Sequence, residues 1–203
     1  MLASQRGRIL EAMAEVVAGK GYAATTVADV VGRAGVSRQT FYDQFASKED
    51  CFLAAFEAGV ELITTVVDQA EAEAGDDWLA RVRAGVRAYL EVLSAEPAFA
   101  RTYLLEVLAA GPTALERRAE VMARFASRHR ESYARARAEL PELPELRDEI
   151  FDGLMGASVE LVAKHLRGRS AGGLIELEPV LLYMIVAMFA GHDVAAGVTG
   201  GME

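Results

Sequence analysis

The sequence predicts an all-α protein with about nine helices, from three observations. Apolar residues recur at helical spacing along most of the chain, and no stretch alternates in the manner of a half-buried strand. Alanine, the strongest helix former, is abundant. Only five prolines occur, and four of them fall at predicted helix boundaries, namely Pro97, Pro112, Pro141 and Pro144.

The first helix is expected over residues 4–19. Ile9, Met13 and Val17 fall on one face of this stretch, and Gly19-Lys20-Gly21 ends it. We expect this helix to support the segment that follows.

Residues 25–48 predict two short helices joined by a tight turn. Thr26 is suited to the N-cap of the first helix, since Asp29 three residues later completes a capping box. Gly35 stands where a helix end favours a positive φ, and Ser37 is suited to cap the second helix. This is the helix-turn-helix layout, whose second helix enters the DNA major groove.

The outer face of the second helix, expected over Ser37 to Phe45, carries hydrogen-bonding side chains. Glutamine can pair with adenine, arginine with guanine, and a threonine methyl can contact thymine. The helix start at Thr25-Thr26, together with Tyr42 and Lys48, is suited to phosphate oxygens. The candidate DNA contacts are Thr25, Thr26, Ser37, Arg38, Gln39, Thr40, Tyr42 and Lys48.

The run from Ile9 to Phe56 resembles the N-terminal domain of TetR-family transcriptional regulators. The residues that carry the resemblance are Gly21-Tyr22, Thr25-Thr26-Val27, Ala34-Gly35-Val36-Ser37, the run from Thr40 to Phe45, and Ser47-Lys48-Glu49. The family often has histidine where Gln44 stands and Ile-Ala where Val30-Val31 stand. The resemblance implies a DNA-binding domain over residues 1–48 and an effector-binding and dimerisation domain over residues 49–203.

The charge distribution permits a DNA-binding N-terminus despite a net charge of −9. Residues 1–50 contain six basic and six acidic side chains, so the acidic excess lies entirely in residues 51–203. A DNA-binding segment without net charge predicts that DNA affinity depends only modestly on salt concentration.

The remainder of the chain predicts six more helices. They are expected over residues 48–73, 77–95, 97–109, 113–139, 145–167 and 177–196, with a loop over residues 168–173 and a frayed tail over residues 197–203. The helix over residues 48–73 is expected to connect the DNA-binding domain to the second domain.

The last helix is apolar almost all round, so it must be buried on every side. Because it is terminal, we expect it to meet a partner chain. The resemblance implies the same, since TetR-family proteins usually dimerise through a four-helix bundle of their last two helices. The predicted dimer contacts are Phe151, Leu154, Leu161, Leu181, Met184, Ile185 and Met188.

Candidate effector contacts are the bulky or polar side chains on the apolar faces of the middle helices. They are Trp78, Tyr89, Phe99, Tyr103, Met122, Phe125, His129, Met155 and Ser158. For each of them core packing is the alternative role, and it is favoured. Their methionine and aromatic content suits a small apolar or aromatic molecule.

No catalytic constellation, metal-binding spacing, P-loop or cofactor motif stands out. The three histidines are not spaced for a metal on one helix face, and Cys51 reads as a small core residue. The longest apolar run, Val180 to Ala190, is too short for a bilayer, which predicts a cytoplasmic protein without membrane contact. The sequence therefore predicts a homodimeric, ligand-responsive repressor of a near-palindromic operator in double-stranded DNA. A helical interaction module, a helical enzyme and a small-molecule carrier remain as alternatives.

Overall fold

A computed structural model describes residues 4–168 and 171–200. Over these residues the chain is all-helical, with ten α-helices, two 3-10 helices and no strand. The α-helices are α1 Gln5–Lys20, α2 Val27–Ala34, α3 Arg38–Tyr42, α4 Lys48–Glu73, α5 Trp78–Ala95, α6 Pro97–Leu104, α7 Pro112–Glu139, α8 Asp148–Gly168, α9 Glu178–Ala190 and α10 His192–Thr199. The 3-10 helices are Glu106–Ala109 and Ala171–Leu177. The predicted all-α class is confirmed.

The extra helix arises at the C-terminus, where the single predicted helix over residues 177–196 is two helices. Gly191 separates α9 from α10 with a φ of 92°, a left-handed conformation that an α-helix cannot contain. The predicted tail begins inside α10, and residues 201–203 lie outside the described part of the chain. The predicted loop over residues 168–173 begins instead with the last residue of α8, and its residues from Ala171 onward form a 3-10 helix. Residues 169–170 of that loop also fall outside the description.

The predicted helix over residues 97–109 is also shorter than expected. It ends at Leu104, and Glu106–Ala109 continue as a tighter 3-10 helix. This change of winding places the Glu106 side chain beside the turn that precedes α2, as described below.

The chain forms two compact units. The first contains the described residues up to Leu62 together with Glu96–Arg118, and the second contains Ile63–Ala95 together with the described residues from Ala119 onward. Helices α4 and α7 therefore each supply residues to both units.

An aromatic stack forms the core of the first unit between α4 and α6. The ring of Tyr103 stacks on the rings of Phe56 and Phe99, with centroids 5.3 and 5.6 Å apart. Gly59 on α4 makes room for this stack, because a Cβ atom there would lie 1.6 Å from Cε2 of Phe99. The absent side chain of Gly59 is therefore a requirement for the contact between these two helices.

The core of the second unit is built around Tyr133 of α7. Its ring contacts those of Phe151 and Phe189, with centroids 5.9 and 4.7 Å apart. Its single O–H lies within hydrogen-bond distance of two carbonyl oxygens, that of Pro144 at 2.7 Å and that of Phe189 at 3.2 Å. These contacts satisfy a buried phenol and tie α7 to α9 and to the loop that precedes α8.

One stretch of the described chain, Gly172–Ala190, is long and apolar enough to cross a membrane by length and composition alone. It consists of a 3-10 segment followed by the 13 residues of α9. A 13-residue helix measures roughly 20 Å, which is less than the roughly 30 Å of a bilayer core. Its buried side chains include Leu181, Ile185 and Phe189, which lie in the core of the second unit.

Candidate nucleic-acid interface

The first helix of the predicted pair begins at the capping box that the sequence indicates. The Thr26 side chain accepts from the backbone N–H of Asp29, and the Thr26 backbone N–H donates to the Asp29 carboxylate at 2.8 Å. Hydrogen bonds from Lys20 and Thr26 lower the pKa of Asp29 to about 2. Gly35 ends α2 with a φ of 63°, and the predicted turn is confirmed.

The second helix is short and amphipathic, and its polar face is exposed to solvent. Ser37 caps it by accepting from the backbone N–H of Thr40 at 3.0 Å. Phe41 and Phe45 are buried beneath it, whereas Arg38, Gln39, Tyr42 and Gln44 are exposed. The helix proper, Arg38–Tyr42, is shorter than predicted, but the backbone N–H of Phe45 still bonds the carbonyl of Phe41 at 2.9 Å. The predicted division into a buried and a polar face is present.

Two side chains on this face are fixed by hydrogen bonds within the helix. The Gln39 amide nitrogen donates to Oδ1 of Asp43 at 2.8 Å, and the hydroxyls of Thr40 and Ser37 lie 2.9 Å apart. A carboxylate only accepts hydrogen bonds, so Asp43 holds the Gln39 amide nitrogen toward itself. The Gln39 amide oxygen and its second N–H remain available for a base edge. Asp43 was not among the sequence-predicted contacts.

Thr25 and Thr26 differ, although the sequence grouped them together. Thr26 is exposed, whereas Thr25 is 2% exposed and its hydroxyl donates to the carbonyl of Gly21 at 2.8 Å. The Thr25 side chain therefore fixes the turn that precedes α2.

Lys48 is half-buried and directed at the same turn. Its ammonium donates to the carbonyl oxygens of Tyr22 and Thr25, both at 3.0 Å, and lies 4.1 Å from the centroid of the Tyr22 ring. Because a lysine ammonium has three N–H donors, one donor remains for the phosphate contact that the sequence predicts.

The arginines near the helix-turn-helix have different partners. Arg33 forms a two-point ion pair with Glu15 and holds the pKa of that carboxyl below its usual range. Arg6 donates to the carbonyl of Gln44 at 3.2 Å and stacks over the ring of Phe45. Arg38 is exposed and has no partner among the described residues. Of these three arginines Arg33 alone has its charge paired with a carboxylate of the described residues, whereas Arg6 and Arg38 keep a positive charge that can face phosphate oxygens.

The structure distributes the candidate effector contacts over both units. Phe99 and Tyr103 are buried in the aromatic stack of the first unit. The second unit holds the other seven, each half-buried: Trp78, Tyr89, Met122, Phe125, His129, Met155 and Ser158. Burial, and secondarily the charge of Arg128, lowers the pKa of His129 to about 4, so this imidazole is neutral at pH 7.

The candidate dimer contacts divide into two groups. Leu161 and Met184 are half-buried and Met188 is 39% exposed. The others lie in the core of their own subunit, each at most 3% exposed: Phe151, Leu154, Leu181 and Ile185. Apolar character alone did not distinguish the inner side of α8 and α9 from the outer side. The outer side of α8 instead exposes Gly153, Gly156 and Ala157.

Among the residues that the structure describes, no group of three His, Cys, Asp or Glu side chains is arranged to hold a metal ion. Cys51 is fully buried, and burial raises its thiol pKa to about 12, as suits a core residue.

Residues 9–55 match the family model for bacterial regulatory proteins of the tetR family. The chain is also 34% identical over 89 residues to the HTH-type transcriptional activator FasR of Mycolicibacterium smegmatis. This match covers 44% of the chain and only 40% of that activator's length.

Two solved structures have a similar fold over almost their whole length. The fatty acid degradation regulator FadR from Bacillus halodurans superposes with a TM-score of 0.74 at 20% identity, over 90% of this chain and 96% of that one. FadR from Bacillus subtilis, solved in complex with stearoyl-CoA, superposes with a TM-score of 0.73 at 16% identity, over 91% and 97% of the two chains. At these identities the likeness concerns the fold alone.

Proposed function

We propose that this chain, whose residues 9–55 match the family model for bacterial regulatory proteins of the tetR family, is a homodimeric, ligand-responsive transcriptional repressor of that family. In this proposal residues 1–48 read DNA, and residues 49–203 bind the effector and form the dimer. The protein acts in the cytoplasm, where it occupies an operator until a small molecule binds to it.

The observation that carries the proposal is that α3 exposes its polar side chains to solvent while Phe41 and Phe45 anchor it in the core. A two-fold dimer presents two such helices to successive major grooves, about 34–36 Å apart or a small multiple of that distance. The expected operator is therefore near-palindromic. Thr26, Arg38, Gln39 and Tyr42 are exposed and suited to direct contact with it.

The effector we propose is a small molecule with a long apolar part. The seven half-buried candidates of the second unit include aromatic and methionine side chains suited to an apolar molecule. The Bacillus subtilis FadR of similar fold holds stearoyl-CoA, and this supports testing long-chain acyl thioesters first.

For the effector to release the protein from DNA, it must bind one conformer of the protein more tightly than another. Each tenfold preference shifts the equilibrium by about 1.4 kcal/mol, and a ligand with equal affinity for both conformers shifts nothing. In the conformer that the effector stabilises, the DNA-binding domains of the two subunits lie at a separation that no longer fits the operator.

Activation is a second candidate, favoured by the relationship to FasR, which is a transcriptional activator. The two candidates share the same DNA reader and differ in where the operator lies relative to the promoter. Transcription from a reporter with and without the protein separates them.

The decisive experiment is selection of bound sequences from a random DNA pool by the purified protein. We expect a palindromic consensus. No enrichment at low salt contradicts the regulator and favours an interaction module or a carrier instead.

The ligand-dependent part is tested by titrating stearoyl-CoA into the complex with the selected operator, with CoA alone as the control. We expect stearoyl-CoA to weaken DNA binding and CoA to leave it unchanged. DNA affinity that stays constant at saturating stearoyl-CoA contradicts this acyl effector.

A further inference from the structure

The turn between α1 and α2 is held from one side by a side chain that is distant in sequence. The backbone N–H of Tyr22 donates to Oε2 of Glu106 at 3.0 Å, across 84 positions of the chain. Glu106 belongs to the 3-10 helix Glu106–Ala109, and both residues lie in the first unit. The same carboxylate also approaches Gly21, since a Cβ there would lie 3.4 Å from Oε2.

The opposite side of the same residue is held by Lys48. Its ammonium bonds the Tyr22 carbonyl and the Thr25 carbonyl, and covers the Tyr22 ring. Tyr22 therefore has its N–H on an acidic side chain and its C=O on a basic one. The Tyr22 ring also contacts the ring of Phe52 edge-on, with centroids 4.8 Å apart.

The backbone of this turn has little freedom to replace these bonds. Gly21 adopts a φ of 82°, and its carbonyl accepts from the buried Thr25 hydroxyl. The next residue, Thr26, already caps α2. Tyr22 is therefore bonded on both sides close to the start of α2, and α2 carries the turn that leads to α3.

We propose that Glu106 is a positioning residue of the DNA interface. Its carboxylate sets the turn at Tyr22, together with Lys48, and so sets where α2 and α3 meet DNA. Glu106 touches no DNA in this arrangement and acts through Tyr22. This inference rests on the proposed function, since it concerns how the proposed reader is held.

The sign of the expected effect separates positioning from simple electrostatics. Removing a negative charge from a DNA-binding protein raises its DNA affinity or leaves it unchanged, because phosphate repulsion is lost. Loss of positioning does the opposite. We expect Glu106→Ala to lower affinity for the selected operator about tenfold, since a half-buried N–H loses a charged acceptor.

Two variants make this measurement specific. Glu106→Gln keeps an acceptor oxygen at the same distance, so we expect its affinity to lie between those of Glu106→Ala and wild type. Glu116→Ala is the matched charge control, because Glu116 is exposed on α7 in the same unit and has no partner among the described residues. We expect its operator affinity to equal or exceed that of wild type.

Hydrogen exchange of the Tyr22 amide measures the structural link without DNA. We expect faster exchange at Tyr22 in folded Glu106→Ala and wild-type exchange in Glu116→Ala. Lys48→Met, which removes the other half of the arrangement, tests whether the two side chains act on one residue. Affinity losses from Glu106→Ala and Lys48→Met should combine to less than their product, because both act on Tyr22.

The outcomes separate the inference from the proposed function. A wild-type protein that binds no duplex overturns both. Wild-type binding with Glu106→Ala at equal or higher affinity overturns the inference and leaves the regulator intact. Equal losses in Glu106→Ala and Glu106→Gln also overturn it, since the acceptor oxygen would then not matter.

Discussion

On the exposed face of α3, the orientation of one polar side chain is set by a hydrogen bond to another. Asp43 accepts the Gln39 amide nitrogen at 2.8 Å, which leaves the amide oxygen and one N–H pointing away from the carboxylate. That remaining edge matches the donor and acceptor pattern of adenine in the major groove. In the proposed DNA complex Asp43 would therefore select which edge of Gln39 meets a base.

We expect Gln39→Ala to remove the preference at one base pair of each half-site, by about 1–3 kcal/mol of discrimination. Asp43→Ala should weaken the same preference and should have no further effect on it in the Gln39→Ala background. Binding to operators with single-base changes measures this. Tyr42→Phe is the comparison, since loss of a phosphate contact weakens binding to all sequences alike. A preference retained in Gln39→Ala contradicts direct readout by this side chain.

His129 makes stability depend on pH. Its pKa is about 4 in the folded protein and 6.5 for an ordinary histidine, so the unfolded chain binds a proton first as pH falls. Stability present above about pH 6.5 is therefore lost progressively toward pH 4. Between pH 7.5 and 5 we expect a loss of roughly 2 kcal/mol in the free energy of unfolding from this group.

Urea unfolding of wild type and His129→Gln at both pH values tests this expectation. The variant cannot take up the proton, so its stability should fall less between pH 7.5 and 5. An equal fall in the two proteins assigns the pH dependence to other groups.

The roles of Thr25 and Lys48 show what residue patterns do not contain. Both residue types suit phosphate contacts, and the sequence grouped them with the DNA-binding residues. In the structure they bond backbone carbonyls of the turn before α2. A side chain that bonds a backbone carbonyl cannot be recognised from the sequence, because every residue type carries the same carbonyl.

Helix starts, in contrast, are predictable because their signal is local. The capping box of Thr26 and Asp29, the Gly35 end and the Ser37 cap were all identified from the sequence and are present. The break at Gly191 was missed, although a glycine directly after the apolar run Val180 to Ala190 is a local signal of a helix end.

At the level of helices, the contact of α4 with α6 depends on Gly59. An alanine there would overlap the Phe99 ring, with Cβ only 1.6 Å from its nearest atom. We expect Gly59→Ala to lower the free energy of unfolding by about 1–3 kcal/mol or more. Chemical denaturation measures it.

Two further variants make this a test of packing. Gly32→Ala on α2 is the control, because a Cβ there has no neighbour within 4 Å, and it should stabilise by about 0.5–1 kcal/mol. Phe99→Leu combined with Gly59→Ala should destabilise less than the two separate effects together, since the smaller side chain relieves the overlap. A Gly59→Ala protein as stable as wild type contradicts the assigned close contact.

For the whole molecule, the compact units do not follow chain order. The sequence predicted a single boundary after residue 48, but residues 49–62 and Glu96–Arg118 belong to the same unit as the reader. The return of Glu96–Arg118 depends on contacts between distant positions, such as the Thr102 hydroxyl donating to the Ala14 carbonyl at 3.1 Å. A division by function after residue 48 therefore remains a prediction, separate from the division by packing.

The proposed recognition of a palindrome depends on the proposed homodimer, which concerns the whole molecule. Phe151, Leu154, Leu181 and Ile185 already lie within their own subunit, so in the proposed dimer the partner would use the other side of α8 and α9. Gly153, Gly156 and Ala157 form an exposed, flat stretch there, and a Cβ on either glycine meets no neighbour within 4 Å. Such a surface lets a second helix approach closely.

We expect Gly156→Arg to produce a monomer, because a long charged side chain on this surface blocks the approach of a second α8. Light scattering should give half the wild-type mass, and affinity for the palindrome should fall about a hundredfold or more as bivalent binding is lost. Gly19→Arg, on an exposed glycine of α1, should retain the wild-type mass. A dimeric Gly156→Arg places the interface elsewhere, whereas a monomeric wild type contradicts the homodimer. Retention of half-site binding by the monomeric variant would show that the reader is intact and that only its duplication was lost.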